Sequence, residues 1–219
     1  MPAPTAVPPA RRSGPKEVVK RVAHIAATVA VLPWLMAYWL GSLALGPNRA
    51  LEGASQALAP LPGVVGIYLR RAFLCRVLAG CDRTAEIGYG VLFSQAGAVI
   101  GPNVYVGPRC HLGLVRLERD CLIAAGVHIP SGGNTHFADD PTVPIKDQGG
   151  ERRVVTVGAG AWVGSLAVVL ADVGPGTIVG AGAVVARPLP GMVIAAGVPA
   201  RVIRPRFAQD SGTKDEGAS

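Results

Sequence analysis

Four histidines are the side chains of this 219-residue chain best suited to move a proton near neutral pH, because imidazole titrates at about pH 6.5. His24 stands at the edge of a long apolar run, and His111 and His128 stand within regular repeats. His136 lies in the polar segment 132–153, GGNTHFADDPTVPIKDQGGERR. A histidine in such a loop is most often a solvated surface residue. Any catalytic role for His136 therefore depends on the elements that position it.

Those elements are repeats in which an aliphatic residue is followed by a small one, mostly at intervals of six residues. Before the polar segment the repeated residues are Ile87, Phe93, Ile100, Val106, Leu112, Leu117, Ile123 and Ile129. After it they are Val157, Val163, Val169, Val173, Val179 and Val185. This spacing suits neither an α-helix, with about 3.6 residues per turn, nor an isolated strand. It predicts a mainly β fold, a solenoid from Ile87 to Ile203 with three flat sides, from which 132–153 is thrown out as a loop.

The composition agrees with a solenoid and also indicates the cellular compartment and the kind of partner. The chain has 29 glycines and 19 prolines, only 5% aromatic residues and 16% charged residues, which suits a chain that turns often around an aliphatic core. Its four cysteines form no CxxC pair, so we expect reduced thiols that pack as small hydrophobic groups, as on a cytosolic face. The net charge of +7 is concentrated in a basic arm that ends at an apolar run, which favours a membrane over nucleic acid as partner.

The apolar run is the candidate membrane segment. No Asp, Glu, Lys or Arg occurs from Val22 to Asn48, and residues 25–46 are long enough to cross a bilayer, for which roughly 20 apolar residues are needed. A cleaved signal peptide and a buried soluble helix are the alternatives. Because both flanks of the run are basic, we expect a helical hairpin or a helix within one leaflet. Residues 61–78 predict a further helix, which either lies in the membrane interface or caps the solenoid.

The order of three motifs resembles the hexapeptide-repeat acyltransferases, specifically their sugar O-acetyltransferase-like members. His136 in the loop is followed by Ala161-Trp162-Val163-Gly164 and then by the closing turn 197–201, Gly-Val-Pro-Ala-Arg, in which Val198 replaces the commoner Asn. The resemblance covers about residues 87–204. It implies a left-handed parallel β-helix with one coil per three hexapeptides, and a homotrimer whose active sites lie between neighbouring subunits.

The same resemblance implies a reaction and the residues that perform it. An acetyl group moves from acetyl-CoA to a sugar hydroxyl by direct attack, with His136 as general base and with no metal. Asp139 or Asp140 would orient the imidazole, or else both are ordinary loop carboxylates. The residues expected to bind coenzyme A are Trp162, Gly164, Ser165, Gly180, Arg201 and Arg204. A packing role for Trp162 and a solvated role for the arginines remain open.

The predicted organisation runs from a membrane anchor to the enzyme. A basic disordered arm (1–24) precedes a membrane-associated helical segment (25–84), the acyltransferase domain (85–204) and a disordered tail (205–219). An anchor at residues 25–46 places the protein on the cytoplasmic face of the inner (plasma) membrane, where a lipid-linked saccharide of exopolysaccharide or surface-glycan assembly is the expected acceptor. A free cytosolic sugar, an amino sugar and a lipid hydroxyl are the alternative acceptors.

Two other functions fit the same fold class. A zinc enzyme similar to the γ-type carbonic anhydrases would use three histidines, and His111, His128 and His136 supply that number with unsuitable spacing. A non-catalytic, membrane-tethered β-helix scaffold would need no histidine at all.

Overall fold

Short parallel strands form the three flat sides of a solenoid in the computed structural model, which describes residues 15–207. The strands of the first side are β1 (Gly80–Cys81), β4 (Val99–Ile100), β7 (Val115–Leu117) and β10 (Val155–Val157), and isolated bridges at Val173 and Leu189 continue it. Those of the second side are β2 (Glu86–Ile87), β5 (Tyr105–Val106), β8 (Leu122–Ile123), β11 (Trp162–Val163), β13 (Ile178–Val179), β15 (Val193–Ala196) and the antiparallel β16 (Arg201–Pro205). Those of the third side are β3 (Leu92–Phe93), β6 (His111–Leu112), β9 (His128–Ile129), β12 (Val168–Val169) and β14 (Val184–Val185).

The repeated aliphatic residues form the core of this solenoid. Every one of the fourteen positions singled out by the repeats is buried, and Ile87, Ile123 and Val163 are fully inaccessible at 0% exposure. The small residues that follow them sit where successive coils touch. A Cβ added at Gly107, for example, would lie 2.8 Å from the backbone carbon of Ala124 in the next coil. The predicted mainly β solenoid is therefore confirmed, and it has about six coils.

In the part of the chain that the structure describes, four helices precede the solenoid: α1 (Pro15–Ala30), α2 (Leu32–Leu45), α3 (Pro47–Leu58) and α4 (Gly63–Val77). The segment 1–24 was predicted to be disordered, but helix α1 already includes residues 15–24, so the prediction does not hold for them. Residues 1–14 lie outside the described part. The first strand, at Gly80, likewise precedes the predicted solenoid start at 85. In the predicted tail 205–219, Arg206 still donates to the carbonyl of Met192, and residues 208–219 are outside the described part.

Helix α4 caps the open end of the solenoid. It packs against β1 and β2, and its residues Ala72, Phe73, Leu74 and Val77 are buried. At its N-terminal end Val64 and Val65 are 68% and 71% exposed. The cap predicted as one role of residues 61–78 is thus present, while the interfacial role remains a prediction.

The apolar run forms α2 and the second half of α1, with a break next to Pro33. Among the described residues no single helix has the length and apolar character needed to cross a membrane. A bent pair of helices, Arg21–Ala30 and Leu32–Leu45 with 50° between them, does have the required length and composition.

A buried arginine fastens the helices to the first coil. Arg70 of α4 is only 2% exposed, and its guanidinium donates to four backbone carbonyls. One bond, of 3.1 Å, goes to Ile87 in β2, and another, of 2.6 Å, goes to Leu61 in the α3–α4 connection. The carbonyls of Leu58 and Ala59 accept the other two, each at 3.3 Å. The carbonyls of Leu58 and Ala59 also accept backbone amides, from Leu61 and Gly90. Loss of the buried guanidinium would therefore chiefly affect the carbonyls of Ile87 and Leu61.

We expect Arg70→Met to lower the free energy of unfolding by about 3 kcal/mol, since buried acceptors of a charged donor would lose their partner. Chemical denaturation of the full chain in detergent measures this. Arg49→Met, at an exposed position of α3, is the matched control and should leave the unfolding midpoint almost unchanged. Equal midpoints for the two variants would contradict the fastening role.

Candidate active site

The insertion 132–153 forms an arm whose outgoing and returning halves pair with each other. The amide of Glu151 donates to the carbonyl of Asn134 at 2.8 Å, and the amide of Phe137 donates to the carbonyl of Gly149 at 3.1 Å. At the base, the amide of Arg153 donates to the carbonyl of Ser131 at 2.9 Å. The arm therefore has a defined backbone course up to and beyond His136.

The tip of the arm is held by its own side chains. The Asp140 carboxylate accepts hydrogen bonds from the Thr142 hydroxyl at 2.6 Å and the Thr142 amide at 2.8 Å, and these bonds hold the pKa of Asp140 below its usual value. The Gln148 amide donates to the carbonyls of Asp140 and Val143, both at 2.7 Å. A short 3-10 helix, Ile145–Asp147, completes the turn.

His136 is exposed on the outgoing half of the arm. Asp140 is engaged by Thr142, and within residues 15–207 no hydrogen bond joins the imidazole to Asp139 or to Asp140. The suggestion that one of these carboxylates orients His136 thus receives no support from the hydrogen bonds of the described chain. Both fit the alternative of ordinary loop carboxylates.

Gly150 is a residue of the arm that sequence reasoning missed. A Cβ at this position would collide with the carbonyl group of Thr135 and would lie 2.9 Å from the amide nitrogen of His136. Only glycine lets the returning half pass this close behind His136. The pair Gly149-Gly150 in the sequence was the available signal.

A polar cavity of ≈ 200 Å³ lies at the base of the arm, lined by Gly133, Asn134, Glu151, Arg153, Leu170 and Ala186. The Arg153 guanidinium donates to the carbonyl of Leu170 at 3.2 Å and lies 3.9 Å from the Asp172 carboxylate, so it ties the arm to the following coil. Asn134 and Glu151 belong to the same paired halves as His136. These cavity residues were also missed, although the charged run 151–153 marks the end of the insertion.

The residues predicted to bind coenzyme A share a different surface, on the second side and its corner. Trp162 in β11 is 48% exposed, and it lies beside Leu122 of β8 and Ile178 of β13 in the register. Two strands beyond β13, β16 carries Arg204, which pairs with Ile194. Arg201 starts the same strand, and both arginines are exposed.

The predicted small residues line the corner next to Trp162. The amide of Gly164 donates to the carbonyl of Val179 at 2.8 Å, and that of Gly180 donates to the carbonyl of Ala195 at 2.8 Å, so the two glycines stack in successive coils. The Ser165 carbonyl accepts from the amide of Gly182 at 2.8 Å. A narrow corner with small side chains lets an extended ligand approach the backbone closely.

Within one chain His136 and Trp162 stand at opposite parts of the solenoid cross-section. The arm leaves after β9 on the third side and returns at β10 on the first side. In a three-sided solenoid this edge faces away from the second side, where Trp162 stands. The predicted site residues thus form two separate halves, one on the arm and one on the second side.

The other histidines of the solenoid stand together but away from the arm. His111 and His128 pair in neighbouring strands of the third side, and their ring centroids are 4.8 Å apart. Partial burial of the ring, and then the charge of His128, lower the pKa of His111. No group of three or more His, Cys, Asp or Glu suited to a metal ion occurs in the described part of the chain. The zinc alternative therefore gains nothing from the geometry.

Comparisons with known proteins point in one direction. No protein-family model matches the chain. A probable acetyltransferase of Mycobacterium tuberculosis, Rv3034c, is 41% identical over a region covering 49% of this chain and 44% of the relative. The putative lipopolysaccharide biosynthesis O-acetyl transferase WbbJ of Escherichia coli K12 is 30% identical, covering 56% of this chain and 64% of the relative. The chain thus spans only about half to two thirds of these curated relatives.

A solved structure of a galactoside acetyltransferase in complex with coenzyme A superimposes with a TM-score of 0.61, at 23% identity, covering 73% of this chain and 82% of that one. At this identity the match concerns the fold. The chain is thus similar in sequence to two acetyltransferases and similar in its β-solenoid fold to a third, which confirms the resemblance to the hexapeptide-repeat acetyltransferases.

Proposed function

We propose that this protein transfers an acetyl group from acetyl-CoA to a sugar hydroxyl, with His136 as the general base. The observation that carries the proposal is the arm itself, which holds an exposed imidazole at His136, two residues beyond Asn134 in the wall of a polar cavity of ≈ 200 Å³. Two homologous proteins are named as acetyltransferases, and one of them as an O-acetyl transferase of lipopolysaccharide biosynthesis.

In the proposed step, the neutral imidazole of His136 removes the proton of the acceptor hydroxyl as its oxygen attacks the thioester carbonyl. The carbon–sulfur bond then breaks, and coenzyme A leaves as a thiol after taking a proton from the imidazolium. Backbone amides at a solenoid corner are suited to stabilise the tetrahedral oxyanion. In this scheme Asn134 and Glu151 at the cavity offer polar partners to the other hydroxyls of the sugar.

The proposed active unit is a homotrimer in which the arm of one subunit meets the second side of the next. Two features support it: the opposite placement of His136 and Trp162 in one chain, and an exposed apolar column on the second side. In that column Tyr105, Leu122 and Trp162 are 38%, 44% and 48% exposed. Cyclic closure buries such a surface in every subunit. The solenoid is proposed to wind in the left-handed sense.

The proposed location is the cytoplasmic face of the inner (plasma) membrane, with residues 25–46 as anchor. Helices α1 and α2 expose large apolar side chains, including Met36, Leu40 and Leu43 at 65%, 66% and 87%. Exposed apolar patches of this kind mark interaction surfaces. A lipid-linked saccharide of exopolysaccharide or surface-glycan assembly is therefore the proposed acceptor.

The test of the function is product analysis with purified full chain, acetyl-CoA and a panel of free and lipid-linked saccharides. We expect ester-linked acetate on a sugar hydroxyl together with one free coenzyme A thiol per transfer. Hydrolysis of acetyl-CoA without acetylation of any saccharide would count against the proposal.

Arg201→Ala is expected to raise the KM for acetyl-CoA severalfold with a smaller change in kcat, because an exposed guanidinium on β16 is suited to pair with a phosphate of the cofactor. Steady-state kinetics measure both constants. Arg119→Ala, at an exposed turn between β7 and β8, is the matched control. An unchanged KM in the Arg201 variant would show that this arginine is a solvated surface residue with no role in binding the cofactor.

A further inference from the structure

An apolar groove of ≈ 390 Å³ lies between helices α1 and α4, away from the candidate active site. Four alanines on one face of α1, among them Ala26, form one wall, and Val64, Val65, Tyr68 and Leu69 of α4 form the other. Because the alanine side chains are small, they leave the space between the two helices unfilled. A groove with no polar wall offers water few hydrogen bonds, so an apolar chain is its suitable occupant.

The groove belongs to a larger apolar surface. On α1, Val22, Ile25 and Val29 are 60%, 56% and 60% exposed. On α4, Val64 and Val65 at the groove wall are 68% and 71% exposed. Contiguous exposure of so many large aliphatic groups favours contact with an apolar phase.

Positive charge stands at the wall of the groove. The Arg71 guanidinium lies over the ring of Tyr68, 4.6 Å from its centroid, and Tyr68 lines the groove. On the next turn of α4, Arg76 donates to the hydroxyl of Thr28 on α1 at 3.1 Å. Burial, followed by the charges of Arg71, Arg83 and Arg76, lowers the pKa of His24 on α1, so the positive potential of the three arginines reaches this helix.

Among the side chains that the structure describes, no carboxylate forms an ion pair with Arg71, Arg76 or Arg83. Asp82 is the acidic group near them, and the charge of Arg83 contributes to lowering its pKa after the hydrogen bonds from Thr84. The buried Nδ1 of His24 has no hydrogen-bond partner among the described residues. An apolar groove beside unpaired cations is complementary to a ligand that combines an anionic group with an apolar chain.

We propose that this site binds an anionic phospholipid of the bilayer, with its phosphate at Arg71, Arg76 and Arg83 and one acyl chain in the groove. The assignment rests on the proposed membrane association and is independent of acetyl transfer. It goes beyond a general affinity for membranes, because it predicts a preference for anionic headgroups and a stoichiometric lipid.

Flotation of the full chain with phosphatidylcholine vesicles, with or without phosphatidylglycerol, tests the site. We expect phosphatidylglycerol to increase the bound fraction of the wild type, and the double variant Arg76→Gln/Arg83→Gln to weaken that binding by about tenfold. The double variant Arg116→Gln/Arg119→Gln, at exposed positions of the solenoid, is the charge-matched control. Equal binding to both kinds of vesicle would overturn the lipid assignment, and absence of binding to either would also overturn the membrane tether.

Filling the groove tests the acyl chain. Ala26→Phe, at an exposed position, should reduce the one phosphatidylglycerol expected to remain bound in native mass spectrometry. Val65→Gln, which changes an exposed wall residue without adding bulk to the core, gives a second measurement should Ala26→Phe fold poorly. Unchanged lipid retention in both folded variants would overturn the site. If deleting residues 1–14 increases the lipid retained, the chain's own first residues are the occupant of the groove in the wild type, and the lipid assignment is overturned. Acetylation of a soluble acceptor, measured on the same variants, should stay unchanged.

Discussion

Replacing His136 with alanine is expected to lower kcat by about 10²–10⁴, the range typical of a lost general base. The imidazole is exposed on the arm, where an acceptor hydroxyl can reach it, and Gly150 holds the returning half of the arm directly behind it. Because the arm keeps its backbone hydrogen bonds in the variant, acetyl-CoA affinity and subunit association should change little. Steady-state kinetics with isothermal titration of coenzyme A separate these effects.

The matched controls are His111→Ala and His128→Ala. Both side chains are exposed on the third side, so they report the effect of removing a surface imidazole from the same solenoid. We expect each control to retain nearly full kcat. A His136 variant with kcat close to that of the controls would eliminate His136 as the base.

Co-expression of two impaired variants is expected to restore about one quarter of the wild-type activity, if sites form between subunits of a trimer. One variant is His136→Ala, which spoils the arm. The other is the double variant Trp162→Ala/Arg201→Ala, which spoils the second side. In a mixed trimer, one of the three interfaces combines an intact arm with an intact second side, whereas a pure trimer of either variant has none.

The controls for this experiment use the same proteins. Co-expression permits mixed trimers, while mixing the separately assembled proteins does not, so activity should appear only after co-expression. Light scattering in detergent verifies the trimer. Activity after co-expression that equals the sum of the separate variants would show that each site lies within one chain.

The sequence by itself determined the solenoid and the position of its interruption. The repeats from Ile87 to Val185 predicted inward positions that are all buried, because a side chain one hexapeptide further along reaches the equivalent point of the next side. The polar, glycine-rich segment 132–153 predicted a loop for a similarly local reason, since it has no aliphatic residues at the required spacing. The helix predicted over residues 61–78 also depended only on local spacing, and α4 occupies Gly63–Val77.

Only the tertiary structure decided which residues become neighbours. Arg70 looked like one of several arginines flanking an apolar run, yet it is buried because the α3–α4 connection and β2 bring carbonyls to it from two directions. Trp162 lies beside Leu122 although the insertion separates them in sequence, since the coil closes again after the arm. The pairing of Gly150 with Thr135, and the cavity containing Asn134 and Arg153, likewise depend on how the arm folds back. Local spacing determines which way each residue of a coil points, whereas the stacking of coils and the path of an insertion depend on contacts between residues far apart in the chain.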